Sequence, residues 1–202
     1  MRIFDLWSSH MDRQPQGSAF LVMDVQRGVV DRYAGDPAFL DRLRQAVETA
    51  RSRGMPVIFV RVAFRPGHPE VSTRNRAFAT IVSQAATSFG EEDEATQIHP
   101  ALGPRAEDPV VVKKRVSAFA GSDLEVLLRS IGITHLVLTG IATSGVVLST
   151  LREAADRDYE LTVLNDACAD ADDEVHRVLT EKVFARQAEV LSVAEWTSRL
   201  SS

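Results

Sequence analysis

Only one cysteine, Cys168, occurs in 202 residues, so no disulfide can form within the chain, and a lone thiol suits the reducing cytosol. No uninterrupted apolar run approaches the roughly 20 residues needed to cross a bilayer. The start, MRIFDLWSSHMDRQPQG, lacks the basic-then-apolar order of a signal peptide, so a cytoplasmic protein with no membrane partner is expected. A basic surplus is missing too. Lys and Arg number 23 against 28 Asp and Glu, a net charge of −5, and this argues against nucleic acid, because phosphate contacts need a cationic surface. Neither a P-loop nor a G-x-G-x-x-G run is present, so no nucleotide cofactor is indicated. Internal repeats and low-complexity tracts are absent as well.

What is present suits one globular domain with a real core, since 45% of the residues are hydrophobic. Residues 1–17 read as an N-terminal arm whose Ile3, Phe4, Leu6 and Trp7 could dock on a neighbouring subunit; residues 18–202 read as the domain. Apolar runs predict strands at 18–24, 56–62, 109–112, 135–139, 160–165 and 188–193. Helical spacing predicts helices between them. Asp36 with Pro37 opens the first of these, carrying Leu40, Leu43, Val47 and Ala50 until Gly54 stops it. A helix over about 73–86 lies in a long turn-rich segment of the kind that covers or lines sites. Ser122 and Glu125 form the pattern of a capping box, ahead of a stripe of Leu124, Leu127, Leu128 and Ile131. Asp172 caps a later helix, and Ser192 with Glu195 opens the last. Strands alternating with helices give βαβ units: an α/β, three-layer α/β/α, Rossmann-like, mostly parallel six-stranded sheet with helices on both faces.

The chain is organised around Thr134 to Thr150, read as a buried strand, a tight turn and the start of a helix. Gly140 allows backbone conformations closed to other residues, and Ser144 can cap the helix that follows. Backbone donors and a positive helix end then point into one space, which suits a developing negative charge. Asp24, Lys113, Gly140 and Asp166 all fall at carboxyl ends of strands, the edge where open α/β sheets bind ligands. A carboxylate such as Asp24 closing an apolar strand is costly unless paired or hydrogen-bonded; a turn or cap aspartate is the structural alternative to a functional one.

Three segments, FLVMDVQRGVV, VVVKKRVSAFAGSDLEVLLRSIGITHLVLTGIATSGVV and STLREAADRDYELTVLNDACAD, resemble the isochorismatase-like hydrolases, also called the cysteine hydrolases, from about Gly17 to the last strand. The resemblance implies that Asp24, in the D-x-Q of Asp24 and Gln26, is the catalytic acid or base. It selects Lys113, six residues before Phe119, as the partner amine, leaving Lys114 on the opposite side of the extended chain as a solvated charge. It implies a cis peptide between Ile141 and Ala142. It also makes Gln26, Ile141, Ala142 and Phe119 candidates for contacting substrate or an oxyanion.

At the position of the amidohydrolase cysteine stands Val146. Losing such a nucleophile costs about 10⁶ in rate, roughly 8 kcal/mol, so an unaltered amidase mechanism is not expected. Cys168 reads as a packing residue. Ser144 and Ser149 flank Val146, but the sequence places no histidine to activate either. Metal is not expected: His68 stands alone in RVAFRPGHPE, without the Asp-x-His of nicotinamidase-like relatives, and His10, His99, His135 and His176 are scattered. The expectation is a cysteine-independent hydrolase that uses Asp24 and Lys113 on a small organic substrate, cleaving a vinyl ether or a C–N or C–O bond, and assembling as a homodimer or homotetramer. A small-molecule-binding homologue, inactive because of Val146, is the alternative. Lifting Asp24 from about 3.9 to near 7 takes roughly 4 kcal/mol, with Lys113 pulling the other way.

Overall fold

The computed structural model describes residues 17–33, 35–84 and 89–201. Strands β1 (Ser18–Met23), β2 (Val57–Val62), β3 (Val110–Lys113), β4 (His135–Ile141), β5 (Glu160–Ala169) and β6 (Glu189–Leu191) form one sheet in the order β3-β2-β1-β4-β5-β6. Every pairing is parallel, so the sheet is wholly and not mostly parallel. The helices are α1 (Arg27–Tyr33), α2 (Phe39–Ser52), α3 (Arg76–Gln84), α4 (Leu124–Ser130), α5 (Leu148–Asp156), α6 (Asp173–Val178) and α7 (Val193–Leu200). Among the described residues no helix is long and apolar enough to cross a membrane. The expected N-terminal arm lies outside the described residues, apart from Gly17.

Side chains alternate along the strands and so supply two cores. Leu21, Met23, Ile58, Val60, Leu136 and Leu138 face the layer holding Leu124 and Leu128 of α4 and Leu151 and Ala154 of α5. Phe20, Val22, Phe59 and Val137 face Leu43, Val47 and Ala50 of α2 and Trp196 of α7. The Phe20 and Trp196 rings stand 5.4 Å apart. Each fully buried large apolar side chain contributes about 1.5–3 kcal/mol, which is why these uninterrupted apolar runs become central strands.

Local chemistry departs from expectation at several ends. Helix α2 starts at Phe39, because the Asp36 carboxylate accepts the Ala38 N–H at 2.9 Å and makes a turn before the helix. The capping box at α4 does not form: Glu125 is drawn to Arg129 at 2.8 Å and Arg157 at 3.4 Å. Ser122 alone accepts the Leu124 N–H, and Ile131 is exposed. The capping box of Ser192 and Glu195 and the Asp172 cap both form. Strand β5 runs past Asn165 to Ala169 by way of a bulge. From the pair Leu138–Val163 to the pair Gly140–Cys168, β5 advances five residues (168 − 163) while β4 advances two (140 − 138). Helix α1 was not expected at all.

Gly140 has φ of 136°, and a Cβ there would lie 2.0 Å from the Met23 carbonyl oxygen. Gly140→Ala is expected to lower the unfolding free energy by at least about 2 kcal/mol in denaturant melts. Gly35→Ala, where a Cβ would meet nothing within 4 Å among the described residues, should change it by less than about 0.5 kcal/mol.

Candidate active site

Strands β1 and β4 are neighbours in the sheet, yet the segment after β1 packs on one face and α5, after β4, on the other. The strand order reverses between them, and at such a switch point a crevice opens beyond the carboxyl ends. Asp24 takes the first position past β1, with φ of 55°. Aspartate tolerates this left-handed conformation better than most residues, at a cost of about 1 kcal/mol. The Asp24 N–H still donates to the Val60 carbonyl at 2.8 Å, tying the bend to β2.

Lys113 ends β3, two strands away, and its long stem crosses the end of β2. Its Nζ lies 2.8 Å from Asp24 Oδ2, with only 2% of the lysine side chain exposed. A second Nζ hydrogen goes to the Arg115 carbonyl at 3.0 Å. Among the described residues, Asp24 Oδ1 is buried without a hydrogen-bond partner. Burial pushes the Asp24 carboxyl above its ordinary value of 3.8, and the Lys113 charge and hydrogen bond offset only part of that rise. One carboxylate oxygen is thus held by an ammonium and the other is left for a proton or a ligand.

Asp24 and Lys113 open into a cavity of about 200 Å³. The turn after β4 supplies Ile141, Ala142, Gly145 and Val146, and Val29, Phe78, Phe89 and Val116 form an apolar wall. The Ile141–Ala142 peptide is cis. After it, Thr143–Val147 makes a π-helical turn that runs into α5. Ser144 is not the expected cap: its own N–H donates to Asp170 Oδ2 at 2.7 Å, so the carboxylate comes from the loop after β5. Val146 is 2% exposed, part of the core as well as of the cavity wall.

Among the expected site residues, the structure brings together Asp24, Lys113, Ile141, Ala142 and Val146. Gln26 and Phe119 do not join them. Gln26 is fully buried and engaged by backbone: its Nε2 donates to the Val62 and Thr96 carbonyls at 3.0 and 2.8 Å, and its Oε1 accepts the Val62 N–H at 3.0 Å. It clamps the end of β2 to the loop at Thr96 and has no hydrogen left for a substrate. Phe119 packs in the core, its ring 5.9 Å from that of Tyr159 and 4.8 Å below the Arg157 guanidinium. Lys114 does point away from the site, but it is not a solvated charge, since Nζ reaches Glu91 at 2.6 Å and the Ala63 carbonyl at 2.7 Å. Burial pushes the Cys168 thiol up to about 12, which fits a packing residue. His135 bonds Ser18 and Thr162, and His176 bonds Thr143.

Missed from the sequence was the contribution of α1, which lines the cavity with Gly28, Val29, Arg32 and Tyr33. The signal was present in the helical spacing of Val29 and Tyr33, four residues apart. Its seven residues are too few for a clear periodicity.

Residues 18–195 match the isochorismatase domain. The chain belongs to the isochorismatase family of hydrolases. It is 32% identical over 182 residues to the isochorismatase family protein YecD of Escherichia coli O157:H7, covering 88% of this chain and 93% of that one. With a ureidoacrylate amidohydrolase of Methylobacterium radiotolerans it shares 31% identity over 209 residues, covering 92% and 80% of the two chains. Among solved structures, an isochorismatase family protein from Burkholderia thailandensis superposes with a TM-score of 0.80 at 30% identity, covering 94% of this chain and 98% of that one. The N-carbamoylsarcosine amidase from Thermoplasma acidophilum does so at 0.70 and 26%, covering 87% and 96%.

Gln26→Leu should lower the unfolding free energy by at least about 2 kcal/mol, because it takes the side-chain partners from the buried Val62 N–H and carbonyl and leaves the Thr96 carbonyl only a long contact to Arg61 at 3.4 Å. Chemical denaturation checks this, and a neutral effect would contradict the clamp.

Proposed function

We propose that this family member hydrolyses a C–N bond in a small organic substrate held in the crevice. Asp24 carries the proton, Lys113 steadies the charge, and no covalent intermediate forms on the protein. The observation that carries this reading is the buried pair itself, with Asp24 Oδ2 on Lys113 and Oδ1 without a partner among the described residues. The amidohydrolase and amidase relatives point to C–N bonds over vinyl ethers. By resemblance Val146 stands where those enzymes have a cysteine, and an isopropyl group has no electron pair to offer. Water is therefore the nucleophile.

In this scheme water attacks the carbonyl carbon as Asp24 Oδ1 takes one of its protons. The carbonyl π electrons move to oxygen, and the oxyanion is met by the third Lys113 hydrogen and by donors of the turn at Ile141 and Ala142. On collapse the C–N bond breaks, and Asp24 returns its proton to the leaving nitrogen, giving an acid and an amine. A base with a raised pKa suits this role, since general bases work best when poised near the operating pH. A homodimer or homotetramer in the cytoplasm completes the reading, supported by the apolar residues near the N-terminus and the single thiol.

A second reading is favoured by Val146, which adds apolar volume to an already apolar wall: a protein that binds small molecules without turning them over. The two separate on a panel of amides, ureido acids and vinyl ethers. The hydrolase reading expects turnover of at least one C–N substrate by wild type, and a loss of at least about 100-fold in Asp24→Asn with folding intact by circular dichroism. The binding reading expects an inert wild type and amidase activity gained in Val146→Cys. Because the ionised carboxylate is the base, kcat/KM should rise with pH through a limb above the ordinary 3.8, and Asp24→Asn should erase that limb.

A further inference from the structure

We infer that Arg32 selects substrates bearing a carboxylate, docking the anion at the mouth of the crevice; this rests on the crevice being the substrate site proposed above. The first observation is placement. Gly28, Val29, Arg32 and Tyr33 fall on one face of α1 by their spacing of four, and that face lines the cavity.

Charge accounting supplies the second. Among the described lining residues only Asp24, Lys113 and Arg32 are charged. Lys113 already gives two of its three hydrogens to Asp24 and the Arg115 carbonyl, and the third is the one assigned above to the oxyanion, so none is left to hold a separate substrate carboxylate. The apolar wall offers nothing to a carboxylate, which is costly to bury unpaired. Arg32 is exposed, and among the described residues it has no ion pair or side-chain hydrogen bond. Its neighbours differ: Arg27 is held by Glu94 at 3.0 Å, and Arg42 is held by Asp36. Of these three arginines Arg32 is the one that lines the crevice, and among the described residues it alone keeps its planar fork of donors for a ligand; that fork matches a carboxylate.

The third observation concerns the far side of Arg32, which also lines an open polar cavity of about 600 Å³. Asp36, Asp166, Asp170 and Asp173 stand there against Arg42, so beyond Arg32 that side carries a net negative charge and is the less favourable one for an anion. A carboxylate-bearing substrate is thereby directed to the crevice side of Arg32, with its scissile carbonyl inward toward Asp24. Small ureido acids and N-acyl amino acids have this shape: a short body with a C–N carbonyl at one end and an anion at the other.

Titration calorimetry and initial rates with 3-ureidopropionate, N-acetylglycine and their neutral primary amides test the assignment on wild type, Arg32→Gln and Arg32→Lys. In Arg32→Gln the Kd of the acids should rise about 10- to 100-fold, the range expected for a lost charge-assisted contact, while the amides shift less than about 3-fold, within the range of a surface change. Arg32→Lys should fall between. Should Arg32→Gln fail to fold, Arg32→Lys carries the comparison, since losing the fork still weakens acids and not amides. Equal effects on acids and amides, no effect on either, or no saturable binding of any acid by wild type overturns the inference. Binding is read without turnover, so an inert enzyme and an unselective Arg32 give different results.

Discussion

Asp24 and Lys113 meet out of water at 2.8 Å, and most of what is particular about this chain serves that meeting. Removing two charges from solvent costs several kcal/mol each, and mutual attraction offsets this only when geometry is good. Here the geometry comes from the sheet. Register places Met23 beside Val60 and Lys113 beside Val62, so acid and amine leave the same edge with β2 between them. Only a long side chain spans that gap. The left-handed turn at Asp24 and the bare Cα of Gly140 bring the ends of β1 and β4 close enough to seal the pair in.

Sealing the pair has a chemical consequence. A carboxylate beside an ammonium in water is acidic, yet around Asp24 the loss of hydration outweighs the lysine and the carboxyl is raised. The apolar wall of Val29, Phe78, Phe89 and Val116 therefore bears on the acid's ionisation, and in the proposed reaction it also faces the substrate. Gln26 belongs to the same design at one remove. By holding Val62 to the loop at Thr96, it steadies the strand over which Lys113 reaches.

The order of strands and helices was legible in the sequence, because parallel strands buried on both faces write themselves as unbroken apolar runs. Asp24 and Lys113 at the carboxyl edge were legible for the same reason, as polar residues that end those runs stand out; Asp166 does not end its strand, because β5 continues to Ala169, and its carboxylate instead accepts the Val193 N–H. Resemblance, not periodicity, singled out Lys113 over Lys114. What could not be read was the use to which polar side chains are put. Gln26 beside the acid looks like a ligand contact until both its ends are found on backbone. Ser144 looks like a cap until Asp170, distant in sequence, takes its N–H. Glu125 matches a capping box but lies within reach of Arg129 and Arg157. Each depends on long-range partners or competing charges, which spacing along one chain does not encode. Helix α1 was too short to show its period, and with it the sequence hid Arg32.

The central claim is that burial, set against Lys113, keeps the Asp24 carboxyl unusually reluctant to ionise, and it can be read on the residue itself. A pH titration of the Asp24 side-chain carboxyl carbon by NMR, in the intact wild-type protein, is the most direct measurement. The account predicts a midpoint clearly above the ordinary 3.8. A midpoint at or below that value would contradict it, showing that the lysine and not the apolar surroundings governs the acid.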